Sequence, residues 1–334
     1  MPDIRIGYHA SHEQFAPSEL LGLVQEAERA GFDAAMCSDH FAPWSERQGH
    51  SGYAWSWLGA ALATTALSFG TVSAPGQRYH PAIVAQAAAT LGELFPERFW
   101  VALGSGEALN ESITGERWPS KEEREARLIE SVEVIRALFA GETVTHRGLV
   151  TVQEARLWTR PASPPKLIGA ALSPETAHWV AGWADGLITV NQPGGAVREV
   201  VDAFRDGGGA SKPMYLQVHL SYAASDEEAR EAAFDQWRPN AVGGPALTDL
   251  RSPQAFDAMA GTVRPDDLDG PVRISSDTGR HVGWLEEDLE LGFERLYLHQ
   301  VGRDQHGFIE AFGADVLPRL HGVRAGEPAK VVIR

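Results

Sequence analysis

The sequence predicts an α/β protein of the closed (β/α)8 TIM-barrel class, with insertions, and three observations carry that prediction. Eight strand-like runs recur along the chain, nearly all followed by a stretch of helical spacing. Polar residues gather just after those runs, at the carboxyl ends where a parallel barrel builds its site. No composition break marks a linker, so residues 1–324 read as one barrel domain and 325–334 as a C-terminal tail. A doubly wound open sheet with a small second domain is the alternative architecture.

Taken in order, residues 4–9 give the first strand, and Ala16-Pro17-Ser18 starts a helix. Leu20, Leu23, Val24 and Ala27 then repeat at helical spacing until Gly31 stops it. Strands follow at 32–38, 67–73 and 98–103, separated by a helix through Trp55, Leu58 and Leu62 and another at 81–94 with proline in its first turn. A charged helix covers 121–138. Residues 143–158 alternate around Arg147-Gly148 and read as a hairpin inserted into the barrel rhythm. Strands at 166–171, 186–190, 214–222 and 295–299, with helices at 174–183, 197–204, 227–234 and 308–320, complete the pattern. Residues 238–270 are rich in Pro, Gly and Asp, lack a period, and read as an irregular insertion.

Bulk composition narrows the function. Hydrophobic residues make up 43% and charged residues 22%, enough to fill a large core. A net charge of −16 argues against nucleic acid and anionic membrane surfaces as partners. The single cysteine, Cys37, excludes an internal disulfide and a cysteine metal cage. No run approaches the roughly 20 apolar residues of a membrane span, and nothing after Met1 resembles a signal peptide, so a cytoplasmic protein is expected. The twelve histidines are scattered without a His-Glu-x-x-His, so no metal site is expected. Gly-x-Ser-x-Gly, G-x-G-x-x-G and Walker motifs are absent.

The chemistry-bearing stretch is Ala35 to Trp44, an apolar run ending in Asp39 and His40, then a turn with Pro43 and Trp44. Other strand ends offer His9 and Glu13, Ser73 with Ala74, Ser105 with Glu107 and Asn110, and His299, while His12 is expected on a surface loop. Gly104-Ser105-Gly106 is small enough for a flat ring or a phosphate to lie against the backbone. Gly169-Ala170-Ala171-Leu172-Ser173-Pro174 runs from a strand into a helix start, whose free N–H groups suit an anion. A tight turn and a helix cap are the plainer readings of these two segments.

Together, Gly7-Tyr8-His9-Ala10-Ser11-His12-Glu13-Gln14-Phe15-Ala16-Pro17, Ser38-Asp39-His40-Phe41 with Trp44, Arg78-Tyr79-His80-Pro81-Ala82 and Gly104-Ser105-Gly106-Glu107-Ala108-Leu109-Asn110-Glu111 resemble the luciferase-like oxidoreductases. They are most similar to the branch of coenzyme F420-dependent glucose-6-phosphate and secondary alcohol dehydrogenases. The resemblance implies a barrel whose deazaflavin (coenzyme F420, favoured here) or flavin (FMN) enters from the carboxyl face. It implies that Asp39 contacts the ring, that His40 is the base taking the alcohol proton, and that Trp44, Glu107 and Glu13 line the reacting centre. Val72-Ser73-Ala74 match a bulge with a non-prolyl cis peptide behind the ring, a bond costing about 3–4 kcal/mol. Homodimers are common in the family, and the resemblance extends that expectation here.

One departure bears on substrate. The family's sugar-phosphate dehydrogenases use two lysines and an arginine on the phosphate, whereas 189–194 and 252–259 contain no lysine and Pro271 stands where the arginine is expected, with Arg273 displaced. The expected substrate is therefore a small alcohol or sugar-like molecule other than glucose 6-phosphate, with Trp55, Trp237 and His299 as candidate wall residues. Two other readings stay open: an FMN-dependent monooxygenase fed by a flavin reductase, and a non-catalytic flavin-binding barrel.

Overall fold

The strands of the computed structural model, which describes residues 4–242 and 245–320, close on themselves. They are β1 (Arg5–Ala10), β2 (Ala34–Ser38), β3 (Ser68–Ser73), β4 (Phe99–Leu103), β5 (Val144–Arg147), β6 (Thr151–Ala155), β7 (Lys166–Ala170), β8 (Gly186–Val190), β9 (Met214–Ser221), β10 (Arg273–Ile274) and β11 (Arg295–Gln300). Eight of them pair in parallel in the order β1-β2-β3-β4-β7-β8-β9-β11, and β11 returns to β1. Closure rules out the open doubly wound sheet. β5 and β6 form the expected antiparallel hairpin, and β10 adds two residues beside the upper end of β9.

The helices are α1 (Pro17–Ala30), α2 (Ala54–Thr64), α3 (Pro81–Leu94), α4 (Ala108–Glu111), α5 (Lys121–Ala140), α6 (Pro174–Ala181), α7 (Ala196–Phe204), α8 (Asp226–Trp237), α9 (Pro253–Met259), α10 (Thr278–Glu290), α11 (Gln305–Ala311) and α12 (Leu317–Leu320). Their starts follow local chemistry. Proline opens α1, α3 and α6, where its missing N–H is no loss, and Ser120 and Ser173 cap α5 and α6 by accepting from Glu123 N and Thr176 N.

Three expectations need correction. Residues 238–270 are not without order: they hold α9 and short 3₁₀ turns at Arg238–Ala241, Pro245–Asp249, Ala260–Thr262 and Pro265–Asp269. Prolines restart the chain every few residues, so no run is long enough to show a period. Helix α10 was not anticipated, although Asp277 caps it and Val282, Leu285 and Leu289 bury one face. The predicted last helix starts earlier, at Gln305, and passes through a π turn at Phe312–Val316. The tail at 325–334 lies outside the described residues. Among those residues no helix is long and apolar enough to cross a membrane.

Two apolar layers hold the barrel. One lies between the strands' outer faces and the helices; the other fills the barrel, where Met36, Trp100, Ile168, Ile188, Tyr215 and Tyr297 pack together. The Trp100 indole donates to the Tyr297 hydroxyl at 3.0 Å, so the polar tips inside the plug satisfy each other. A glycine makes the room: a Cβ on Gly70 would sit 1.9 Å from the Trp100 ring. The lower barrel is therefore solid, and access is confined to the carboxyl end.

Gly70→Ala should cost about 1–3 kcal/mol in chemical denaturation, because strand and indole cannot both stay in place. Gly22→Ala on the exposed face of α1, where a Cβ meets nothing within 4 Å, should be neutral or stabilise by up to about 1 kcal/mol.

Candidate active site

Side chains alternate along each strand, so the positions two residues above the barrel plug also point inward. On β3, β4 and β7 these positions are small: Val72, Gly104 and Ala170, all half-buried. An added Cβ on Gly104 would meet only Ala170 Cβ, at 3.8 Å, so this flank is a shallow floor with open space above it. On β9, β11 and β1 the inward positions above the plug carry Gln217 and, two residues further on, His219, with His299 and His9 beside them. β2 leads into Asp39 and His40 at the top of the barrel, between the small flank and the polar one.

Asp39 is buried and its carboxylate is saturated. Trp55 Nε1 donates to Oδ2 at 3.1 Å, Ser73 Oγ to Oδ2 at 2.8 Å, and Tyr79 OH to Oδ1 at 3.0 Å. Arg78 Nη2 lies 3.6 Å from Oδ2 and also donates to the Asp39 carbonyl. Arg78 is itself held by Glu111, whose Oε2 accepts from the Arg78 backbone N–H at 2.7 Å. One carboxylate thus ties the end of β2 to α2, β3 and the loop before α3.

The next residue, His40, pairs through Nδ1 with Glu13 Oε1 at 2.6 Å, and Ser11 Oγ donates to the other Glu13 oxygen at 2.9 Å. With Nδ1 committed, Nε2 has no partner among the described residues. Burial lowers the His40 pKa, but the Glu13 charge and hydrogen bond outweigh it and hold the imidazole above its ordinary 6.5. Glu13, despite burial that pushes it up, is drawn to about 2 by His40. Glu107 goes the other way: burial raises it, the facing His40 only partly offsets that, and Glu13 adds to it. Trp44 stands edge-on to His40 with centroids 5.0 Å apart and leans on Phe256.

A left-handed Gly106 (φ 82°) turns the chain from β4 so that Glu107 stands at the N-cap position of α4. A Cβ there would come within 2.9 Å of Glu111, so a side chain is excluded on two grounds. Asn110, expected at the cofactor, accepts at Oδ1 from the N–H groups of Phe41 and Ala42, at 2.9 and 3.4 Å, and so fixes the loop that carries His40. Ser105 lies half-buried beside Gly104. Gly169 is packed under Val180, Ala171 is buried, Leu172 is exposed, and Ser173 caps α6.

Of the wall candidates, Trp55 is buried behind Asp39, while Trp237 and His299 meet edge to face at 4.6 Å on the polar flank. His12 is not on a surface loop: it is fully buried, edge-on to Trp57 at 4.8 Å, because the chain after β1 folds back over α2. No cis peptide occurs among the described residues, so the expected cis bond at Val72-Ser73-Ala74 is corrected to trans. The Ser73–Asp39 bond and the Pro75–Tyr79 bridge turn the chain there without one.

Sequence reasoning quoted Gln14, Arg78, Tyr79 and Glu111 without assigning them a role and passed over Gln217 and His219. The i, i+2 pair on a strand was the available signal for the last two. Among the described residues no cluster of three or more potential ligands could hold a metal.

Comparison with known proteins identifies the family and the fold. The family model described as luciferase-like monooxygenase matches residues 3–293. An F420-dependent glucose-6-phosphate dehydrogenase of Nakamurella multipartita is 36% identical, over 96% of this chain and 98% of its own, and one of Beutenbergia cavernae is 35% identical over 95% and 97%. An F420-dependent secondary alcohol dehydrogenase, solved with an F420–acetone adduct, superposes with a TM-score of 0.87 at 30% identity, covering 95% of this chain and 98% of that one.

Asp39→Ala should destabilise the protein by about 3–5 kcal/mol in denaturant unfolding, since it strands three donors and leaves the Arg78 guanidinium only its Glu111 partner and the backbone carbonyl. Tyr79→Phe, which removes one of those donors, should cost about 1 kcal/mol.

Proposed function

Because this chain belongs to the luciferase-like monooxygenase family, we propose that it is an F420-dependent dehydrogenase acting on a small, uncharged alcohol or sugar-like substrate. The observation that carries the reading is the His40 imidazole, tethered at Nδ1 by Glu13, open at Nε2, and set between a floor of small residues and a polar wall. The floor fits a flat ring: Val72, Gly104 and Ala170 leave a shelf that any larger side chain at Gly104 would fill. Val72, Ser73, Ala74, Gly104, Ser105 and Gly106 would hold the ring, and the segment from Gly169 to Ser173 the chain beyond it. When bound, the deazaflavin supplies the acceptor for the hydride leaving the carbinol carbon.

This chain's residues supply the proton chemistry. His40 Nε2 accepts the substrate hydroxyl proton, while Glu13 fixes the ring and stabilises the imidazolium that results. Glu107, whose pKa burial raises above the ordinary carboxylate value, donates a hydrogen bond to the substrate oxygen when protonated. Trp44 orients the imidazole edge-on and shields it from water.

Arg273, the displaced counterpart of the expected phosphate-binding arginine, is already committed. Arg273 is forked onto Asp288 (Nη2–Oδ1 2.8 Å) and its Nη1 also donates to the Trp284 carbonyl. A substrate dianion would need a guanidinium that is not already spent on a carboxylate.

His40→Ala should lower turnover of a secondary alcohol with F420 by roughly 10²–10⁴-fold while F420 still quenches the tryptophan fluorescence. Unchanged turnover would remove His40 from the reaction. Glu13→Gln removes the charge that raises the His40 pKa, so that pKa falls, and the acidic limb of the kcat/KM profile for alcohol oxidation should move to lower pH. A limb that stays in place would mean that another group titrates there.

A further inference from the structure

The wall formed by β9, β11 and β1 carries hydrogen-bonding groups that neither the fold nor the His40–Glu13 pair uses. His299 Nε2 lies 3.1 Å from Gln14 Oε1, and Gln14 Nε2 is already donating to Gln236 Oε1 and the Val301 carbonyl. His299 therefore bears its proton on Nε2, and its Nδ1 is an acceptor, 3.4 Å from Gln217 Nε2. The other proton of that amide points to His219 Nε2 at 3.0 Å. That nitrogen is then an acceptor as well, and the His219 proton sits on Nδ1.

Two groups are left over: Gln217 Oε1 as an acceptor and His219 Nδ1–H as a donor. Both belong to half-buried inward side chains and have no partner among the described residues. The Trp237 indole lies against both rings, with centroids 5.1 Å from His219 and 4.6 Å from His299, and its buried Nε1–H is also unpartnered. Trp237 belongs to the apolar cluster against which Trp44 packs, and Trp44 touches His40, so this wall adjoins the reacting centre. Burial also holds the His219 pKa down to about 3 and that of His9 to about 4, so the imidazoles are neutral.

We propose that Gln217, His219 and Trp237 form a substrate subsite for the hydroxyl groups of an uncharged polyol or unphosphorylated sugar whose reacting carbinol lies at His40. The inference rests on the dehydrogenase reading above and names its substrate class. A hydroxyl both donates and accepts, so a vicinal pair satisfies Gln217 Oε1 together with His219 Nδ1–H or Trp237 Nε1–H. A monohydric alcohol spends its one hydroxyl at His40 and leaves these groups without a partner, which costs affinity. A phosphate would meet the Gln217 oxygen and two neutral donors with no cation to match its charge.

The test titrates glucose, glucose 6-phosphate and 2-propanol into the purified protein by calorimetry, with and without F420, and measures turnover of each by the F420-loaded protein. Gln217→Leu and His219→Phe are compared with wild type, each accepted if it binds F420 and unfolds at the wild-type temperature. If one of them does not fold, the other gives the same reading. The proposal expects glucose to bind at least about tenfold more tightly than glucose 6-phosphate. It also expects each variant to lower the ratio of glucose to 2-propanol kcat/KM about tenfold, chiefly through KM. Glucose 6-phosphate binding as tightly as glucose, glucose failing to bind, or variants that keep the wild-type ratio and glucose affinity would overturn it. Glucose binding that the variants weaken, with no alcohol reducing F420, would support the subsite and overturn the dehydrogenase reading alone.

Discussion

A carboxylate with little access to water must replace its hydration with donors, and Asp39 does so with an indole, a hydroxyl, a phenol and a guanidinium drawn from three segments of the chain. That requirement fixes more than the aspartate. It sets where α2 sits against β2, how β3 ends at Ser73, and how the Arg78-Tyr79 loop closes over the barrel mouth. His40 is the adjoining residue, so its backbone position follows from the same four donors. Glu13 then has only one rotation to select, which it does through Nδ1.

The electrostatics follow from this placement. Three ionisable groups share one poorly hydrated mouth, and they are driven apart: Glu13 downward, His40 and Glu107 upward. Such separation gives one site a carboxylate held in its charged form, an imidazole whose charged form is favoured over that of a free one, and a carboxyl group that gives up its proton less readily than an exposed one. Around them the barrel is asymmetric. Small side chains on β3, β4 and β7 make a shelf, hydrogen-bonding side chains on β9, β11 and β1 make a wall, and the solid aromatic plug below prevents passage through.

The sequence displayed the architecture well because each barrel unit leaves a local trace. The runs that became β2, β7 and β8 are bounded by Gly, Pro or Asp and are each followed by a helix, and Arg147-Gly148 marked the turn of the hairpin. It displayed the site less completely. Asp39, His40 and Trp44 are contiguous and drew notice, but Asp39's partners are 16 to 40 residues away, and no local spacing announces a shared carboxylate. His219 and His299 lie far from His9 in sequence and meet only because closure sets β11 between β9 and β1. His12 misled for a related reason: a histidine in a loop reads as exposed, while here the loop itself is covered. The proline-spaced turns between 238 and 270 are too short for any period to register.

The central claim is that a flat two-electron cofactor lies on the small-residue shelf within reach of one proton-accepting imidazole. Anaerobic addition of a secondary alcohol to the protein loaded with F420 tests it most directly, with the cofactor's visible absorbance as the readout. The account predicts that F420 is reduced stoichiometrically with ketone formed, without oxygen or any second protein. It would be contradicted if F420 failed to bind, or if only FMN bound and substrate oxidation proceeded solely with consumption of oxygen.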